Sequence, residues 1–306
     1  MYSADKILSE ITKNPQIHMS LCDGRMSIFH LYKQQIKTFC ETQDLAKDEQ
    51  IRFFVEEVFT PYREYWSAWF NEEDFIKWLP HNLSQLADIS SPGIQLPFEI
   101  NFDSIFSDIA YKLQVLTDKP IPAGKWYLTY RSEGDMGGIF DGSTMFAHLL
   151  NLGEDGPEEV TFLLPHEISH QIFAASNHEQ DSLLHRIINE GIACYANYLY
   201  WNKQFTPAKC IDFTEEEWEW SLGNERKIFE YASPHLLKQD QEIITKLSHW
   251  HQYIWEGSPD RLAYFIGFRI CQSFVANKGK SSWKEMYDLP VSESLELSSY
   301  SGSIET

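Results

Sequence analysis

Basic residues are scarce in this chain. Lys and Arg number 25 against 45 Asp and Glu, giving a formal net charge of −20. Phosphate binding needs clustered Lys and Arg, so this balance excludes nucleic acid as a partner. Cysteine is also sparse. Cys22, Cys40, Cys194, Cys210 and Cys271 are scattered, odd in number and without a CxxC pair. That pattern excludes a cysteine zinc ribbon and a disulfide framework, and it points to reduced thiols in the cytoplasm. No apolar run is long enough to cross a bilayer, which predicts no membrane partner. The first sixteen residues, MYSADKILSEITKNPQ, lack a basic start followed by an apolar stretch, so no signal peptide is expected. Internal repeats and long low-complexity segments are absent as well.

What the chain has in quantity is aromatic side chain, at 15% with ten tryptophans. Rings on this scale imply a sizeable core and leave room for an aromatic-lined cleft. The first 117 residues read as a mostly helical region, with helical spacing near 25–42, 47–60 and 62–78 and boundaries at Thr60-Pro61 and Leu79-Pro80. The texture changes at 118. Lys125 to Tyr130 reads as a strand, Gly134 to Gly142 as a glycine-rich turn, and Ser143 to Leu152 as a second strand. From Pro157 to Trp201 the pattern is again helical. Pro165 either kinks that helix or begins a second one after a short Val160–Leu164 strand. The expected organisation is a helical region over 1–117, a domain over 118–290 and a flexible Ser- and Glu-rich tail over 291–306.

One pentapeptide carries recognisable chemistry: His166-Glu167-Ile168-Ser169-His170. On a helix, positions i and i+4 share a face, so His166 and His170 present two imidazoles to one point, as a shared zinc ion requires. Glu167 then projects beside the metal, where a carboxylate can take a proton from zinc-bound water. The third ligand is predicted from the next helix. Leu183, Ile187, Glu190, Cys194 and Tyr198 form one stripe of an amphipathic segment, and Glu190 is the acid within it. An ionised carboxylate set into an apolar face calls for a cation, and zinc held by two neutral histidines is one. His178, Glu179, Asp181 and His185 lie nearby as rival ligands, with His185 the strongest of them. The expected cofactor is one Zn2+ per chain on His166, His170 and Glu190.

This arrangement, with Glu190 inside Asn189-Glu190-Gly191-Ile192-Ala193, resembles the zinc site of the gluzincin metallopeptidases. A metzincin would carry Gly and His where Phe173 and Ser176 stand. A second resemblance is to bacterial predicted zinc-dependent proteases, through a C-terminal Tyr264-Phe265-Ile266-Gly267-Phe268-Arg269 element. The resemblances imply an α+β, mainly helical fold with a zincin-like core and a small sheet beside the motif helix. They imply hydrolysis of a peptide or protein substrate, with Glu167 as general base and Tyr264 or Arg269 steadying the oxyanion. They also suggest that the 143–152 strand lies at a sheet edge and could pair with extended substrate. Two other expectations stand beside the peptidase: a catalytically silent zincin-like binding or regulatory protein, and a zinc hydrolase of a non-peptide bond.

Overall fold

The computed structural model describes residues 3–132, 136–139, 143–150, 156–177 and 182–302. The chain divides into two compact units. The first comprises 1–111 and 121–164, the second 112–120 and 165–306. It is mainly helical with one five-stranded mixed sheet.

The first unit is built on that sheet. Helix α1 (Ala4–Lys13) starts at Ser3, whose hydroxyl accepts from the Lys6 N–H. Strands β1 (His18–Leu21) and β2 (Met26–His30) form an antiparallel hairpin, turned by Cys22, Asp23 and Gly24 at positive φ. Helices α2 (Leu31–Thr42), α3 (Lys47–Phe54), α4 (Glu72–Leu86) and α5 (Phe102–Thr117) follow, then β3 (Gly124–Thr129), β4 (Met136–Ile139) and β5 (Thr144–His148). The strand order is β1-β2-β3-β5-β4, with β2, β3 and β5 parallel and the two outer strands antiparallel.

The central strand β3 is buried on both faces, which its unbroken Trp126-Tyr127-Leu128-Thr129 run already implies. On one face Trp126 meets Phe106 of α5 at 4.9 Å between ring centroids. On the other Tyr127 stacks on Tyr65 at 4.8 Å, and the Tyr65 hydroxyl reaches Thr129 Oγ1 at 3.1 Å and His148 Nε2 at 3.0 Å.

Several expectations change here. The segment 25–42 is a strand followed by a helix. Met26, Ile28 and His30 alternate at period two and are buried in turn, a signal hidden beneath the helical spacing after Leu31. Leu79-Pro80 ends no helix, because α4 runs through Pro80. Burial of Phe75, Leu79, Asn82, Leu83 and Leu86 offsets the roughly 3 kcal/mol that an interior proline costs. The boundary at 117/118 fails because it cuts the sheet: β2 pairs with β3 along its length. The strand after Ser143 is β5, which lies between β3 and β4 and is not an edge, so its backbone groups are already paired on both sides. Residues 151–152, most of the 134–142 turn and His178, Glu179 and Asp181 lie outside the described residues.

The second unit contains the later part of α6 (Gly156–Ser176), a single helix with Pro165 inside it, and α7 (Leu183–Tyr200). Beyond these come α8 (Glu215–Gly223), α9 (Glu225–Ala232), α10 (Gln241–Ser248), α11 (Leu262–Lys278) and α12 (Val291–Ser298). Helices α7 and α11 cross at Gly191 and Gly267 with backbones in contact. A Cβ on Gly191 would lie 2.2 Å from the Gly267 carbonyl carbon, and one on Gly267 would lie 2.1 Å from the Ile187 oxygen. Only glycine permits that approach. Of the expected tail over 291–306, Val291–Ser298 form helix α12, and 303–306 lie outside the described residues. The Ser273 hydroxyl and the Asn277 amide each donate to the Ser298 carbonyl at 2.7 Å, and Tyr300 is buried with its hydroxyl donating to Glu225. Ser294 and Ser298 are buried on the inner side of α12, where the Ser298 hydroxyl donates to the Leu295 carbonyl, while Ser292 and Ser299 are exposed.

Candidate metal centre

The centre lies within the second unit, at the facing surfaces of α6 and α7. His166 and His170 stand one turn apart on α6 with their Nε2 atoms 2.9 Å from each other. Glu190 of α7 places Oε2 3.4 Å from His166 Nε2 and 3.3 Å from His170 Nε2. Among the described residues these three form the one group with metal-ligand spacing, all three donor atoms lying within 4.8 Å of one another. Zinc with tetrahedral bonds of 2.0–2.1 Å sets neighbouring donors about 3.3 Å apart. The two Glu190 spacings, 3.4 and 3.3 Å, fit that geometry, and the imidazole pair at 2.9 Å stands closer than it requires. Glu190 is 3% exposed, and its Oε2 makes no hydrogen bond among the described residues. A buried carboxylate oxygen facing two imidazole nitrogens needs a positive partner, which a metal ion or a protonated histidine supplies.

The surrounding groups hold the ligands in place. Asn189 Oδ1 faces His170 Nδ1 at 2.8 Å. With Nδ1 donating there, the Nε2 lone pair is turned toward Glu190 and His166. Arg186, one turn before Glu190, approaches Oε1 at 3.4 Å and leaves Oε2 to the centre. Cys194, one turn after Glu190, places Sγ 3.7 Å from His166 Nδ1. The spacing 186, 190, 194 on α7 is the signal that marks Arg186 and Cys194 in the sequence; the amphipathic stripe picked out only Cys194.

Electrostatics follow from this packing. Burial disfavours the His170 cation, but the Glu190 carboxylate, with Glu167 and the Asn189 amide in support, raises its pKa to about 9. Burial likewise works against the Glu190 anion, yet His170 and His166 hold its carboxyl well below the usual range. Burial, with Glu190 beside it, pushes the Cys194 thiol well above its ordinary value.

The other expected site residues divide. Glu167 is half-buried on the turn between the two histidines. The Tyr264 ring of α11 lies parallel to His166, within 3° and 6.1 Å between centroids. Arg269 is engaged elsewhere: its guanidinium grips Glu225 through Nε–Oε1 at 2.6 Å and Nη2–Oε2 at 3.2 Å, and donates to Gln272. It is a structural ion pair and no oxyanion group. His185 packs on Phe173 at 5.2 Å and stands outside the metal-spaced group. A zinc ion bound here would supply a Lewis acid with an open coordination position.

Comparison with known proteins bears on what such a centre is for. No curated protein and no solved structure matches the chain. Among the described residues, no helix is long and apolar enough to cross a membrane. One family model does match, over residues 157–302, just under half of the chain and inclusive of every residue of the centre. It is not a peptidase family. This finding overturns the resemblance to gluzincins and to predicted zinc-dependent proteases, and with it the peptidase function, the enzymatic assignment and the peptide substrate. The silent-zincin and non-peptide hydrolase expectations gain no support from it either. Two histidines and a glutamate could hold a metal ion, and such a geometry recurs across unrelated functions. Over residues 157–302, the chain is similar to the family described as gliding motility protein GldB.

Proposed function

We propose that this chain is a zinc-binding protein of the gliding-motility kind, in which His166, His170 and Glu190 hold one Zn2+ per chain and join α6 to α7. The observation that carries the metal reading is Glu190 Oε2, buried, without a hydrogen bond among the described residues, and within 3.4 Å of two imidazole nitrogens. The motility reading is carried by the family match over 157–302. Two ligands from one helix and one from the next make the ion a cross-link, and binding energy that exists only in the folded state adds to its stability.

Metal analysis of the full chain purified after zinc-replete expression tests the first part. About one zinc per chain is expected, falling to background in His166→Ala. A metal-free wild-type chain would sink the assignment. For the second part, the chromosomal copy is replaced by His170→Ala in the source organism. Reduced surface spreading at unchanged protein level is expected, and unchanged spreading would remove the motility reading.

A further inference from the structure

The two histidines of the centre are held by unequal partners. His170 Nδ1 faces an amide oxygen at 2.8 Å, whereas His166 Nδ1 faces the Cys194 sulfur at 3.7 Å. A ligating imidazole normally donates its second N–H to a carboxylate, a carbonyl or water, and that acceptor fixes the ring and raises its basicity. A thiol sulfur is a weak acceptor. Cys194 is fully buried on α7, and no other side chain among the described residues bonds to His166 Nδ1. The unsatisfied Glu190 Oε2 on the far side of the same ring is the independent sign that a ligand belongs there.

We infer that Cys194 is a positioning residue which makes His166 the weakly held ligand, so that the centre exchanges its zinc where an oxygen acceptor at position 194 would retain it. This rests on the zinc reading given above. The asymmetry follows from the chemistry of the two acceptors. Asn189 aligns His170 and strengthens its lone pair; Cys194 fills the equivalent space behind His166 and does little of either. Loss of the ion then begins at His166, leaving His170 and Glu190 in place to recapture it.

Zinc affinity of the full-length chain, measured by competition with a fluorescent chelator, decides the matter alongside the rate of zinc loss to excess chelator. Asn189→Ala should weaken binding by about 10- to 100-fold, the usual effect of removing an outer-shell acceptor. Cys194→Ala should fall well short of about tenfold. Cys194→Asn, which offers an oxygen, should tighten binding by about tenfold and slow zinc loss. The near-isosteric Cys194→Ser should move the same way by a smaller factor, and it decides the question if the Asn variant does not fold. A tenfold loss in Cys194→Ala would overturn the inference, as would unchanged affinity and release in the folded Ser and Asn variants. Either result leaves the zinc reading standing as long as the wild type binds zinc. A wild type that binds none ends both.

Discussion

His170 is where protons and metal compete, because its Nε2 is the atom that faces both His166 and Glu190. Its folded pKa of about 9 exceeds the ordinary 6.5. The metal-free fold therefore gains from the His170 cation fully below pH 6.5 and loses that gain as pH rises through about 9. Glu190 has the opposite sign: its contribution is present above its ordinary 4.5 and lost as pH falls through its lowered folded value. Metal-free protein should thus be most stable between these limits and weaken toward pH 9, as read by denaturant melts. His170→Gln should flatten the alkaline limb, and an unflattened limb would place the dependence elsewhere. Zinc bound as proposed should reverse the trend, since binding would expel the proton and tighten as pH rises. Arg269 belongs to a separate set of contacts, paired with Glu225. Removing it as Arg269→Met leaves the buried Glu225 carboxylate with Tyr300 as a neutral donor, and should cost about 3–5 kcal/mol in equilibrium unfolding. Zinc content should not change, because the pair is no part of the centre.

At the level of elements, the crossing of α7 and α11 governs the second unit. Gly191 adjoins Glu190, so the place where the helices touch backbone to backbone also seats the proposed third ligand. Gly267→Ala cannot be absorbed by a side-chain shift, since the obstruction is the Ile187 carbonyl. It should destabilise by about 1–3 kcal/mol or more and weaken zinc binding together with it. Unchanged stability would mean the helices separate easily. The sequence made some elements plain and hid others. Long segments with helical spacing, such as 183–200, were legible because a buried stripe repeats every turn. The β1–β2 hairpin was not, because two short strands carry little periodicity and sit directly before a helix. Pro80 misled because local chain preference was outweighed by five buried side chains. The last helix misled because Ser294 and Ser298, read as solvent-seeking, are buried, with the Ser298 hydroxyl donating to the Leu295 carbonyl and Ser273 and Asn277 donating to the Ser298 carbonyl.

On the scale of the whole molecule, the sheet and the proposed metal centre belong to different units, so zinc should protect one selectively. Hydrogen exchange measured with and without zinc should slow in 165–176 and 183–200 and remain unchanged in β1, β2, β3 and β5. At free zinc 100 times the dissociation constant, the stabilisation of the second unit should approach about 2.7 kcal/mol. Equal protection in both units would contradict a centre confined to the second. The net charge of −20 acts globally too, and it should prevent retention on DNA at low salt.

Covalent spacing alone determined the pair of histidines: four residues on a helix fix two imidazoles on one face whatever surrounds them. The acid of the third position was legible for a related reason, as a charge in an apolar stripe. Everything that depends on residues distant in the chain awaited the tertiary structure. Packing brought Glu190 to His166 and His170, paired Arg269 with Glu225, and enclosed β5 between neighbours. The same packing set a thiol behind one ligand and an amide behind the other. These are contacts whose energies exist only once the chain has closed on itself, and no local periodicity encodes them. The use to which the site is put lies further still from the pentapeptide, because a metal's ligands constrain its coordination and leave its role to the protein around it.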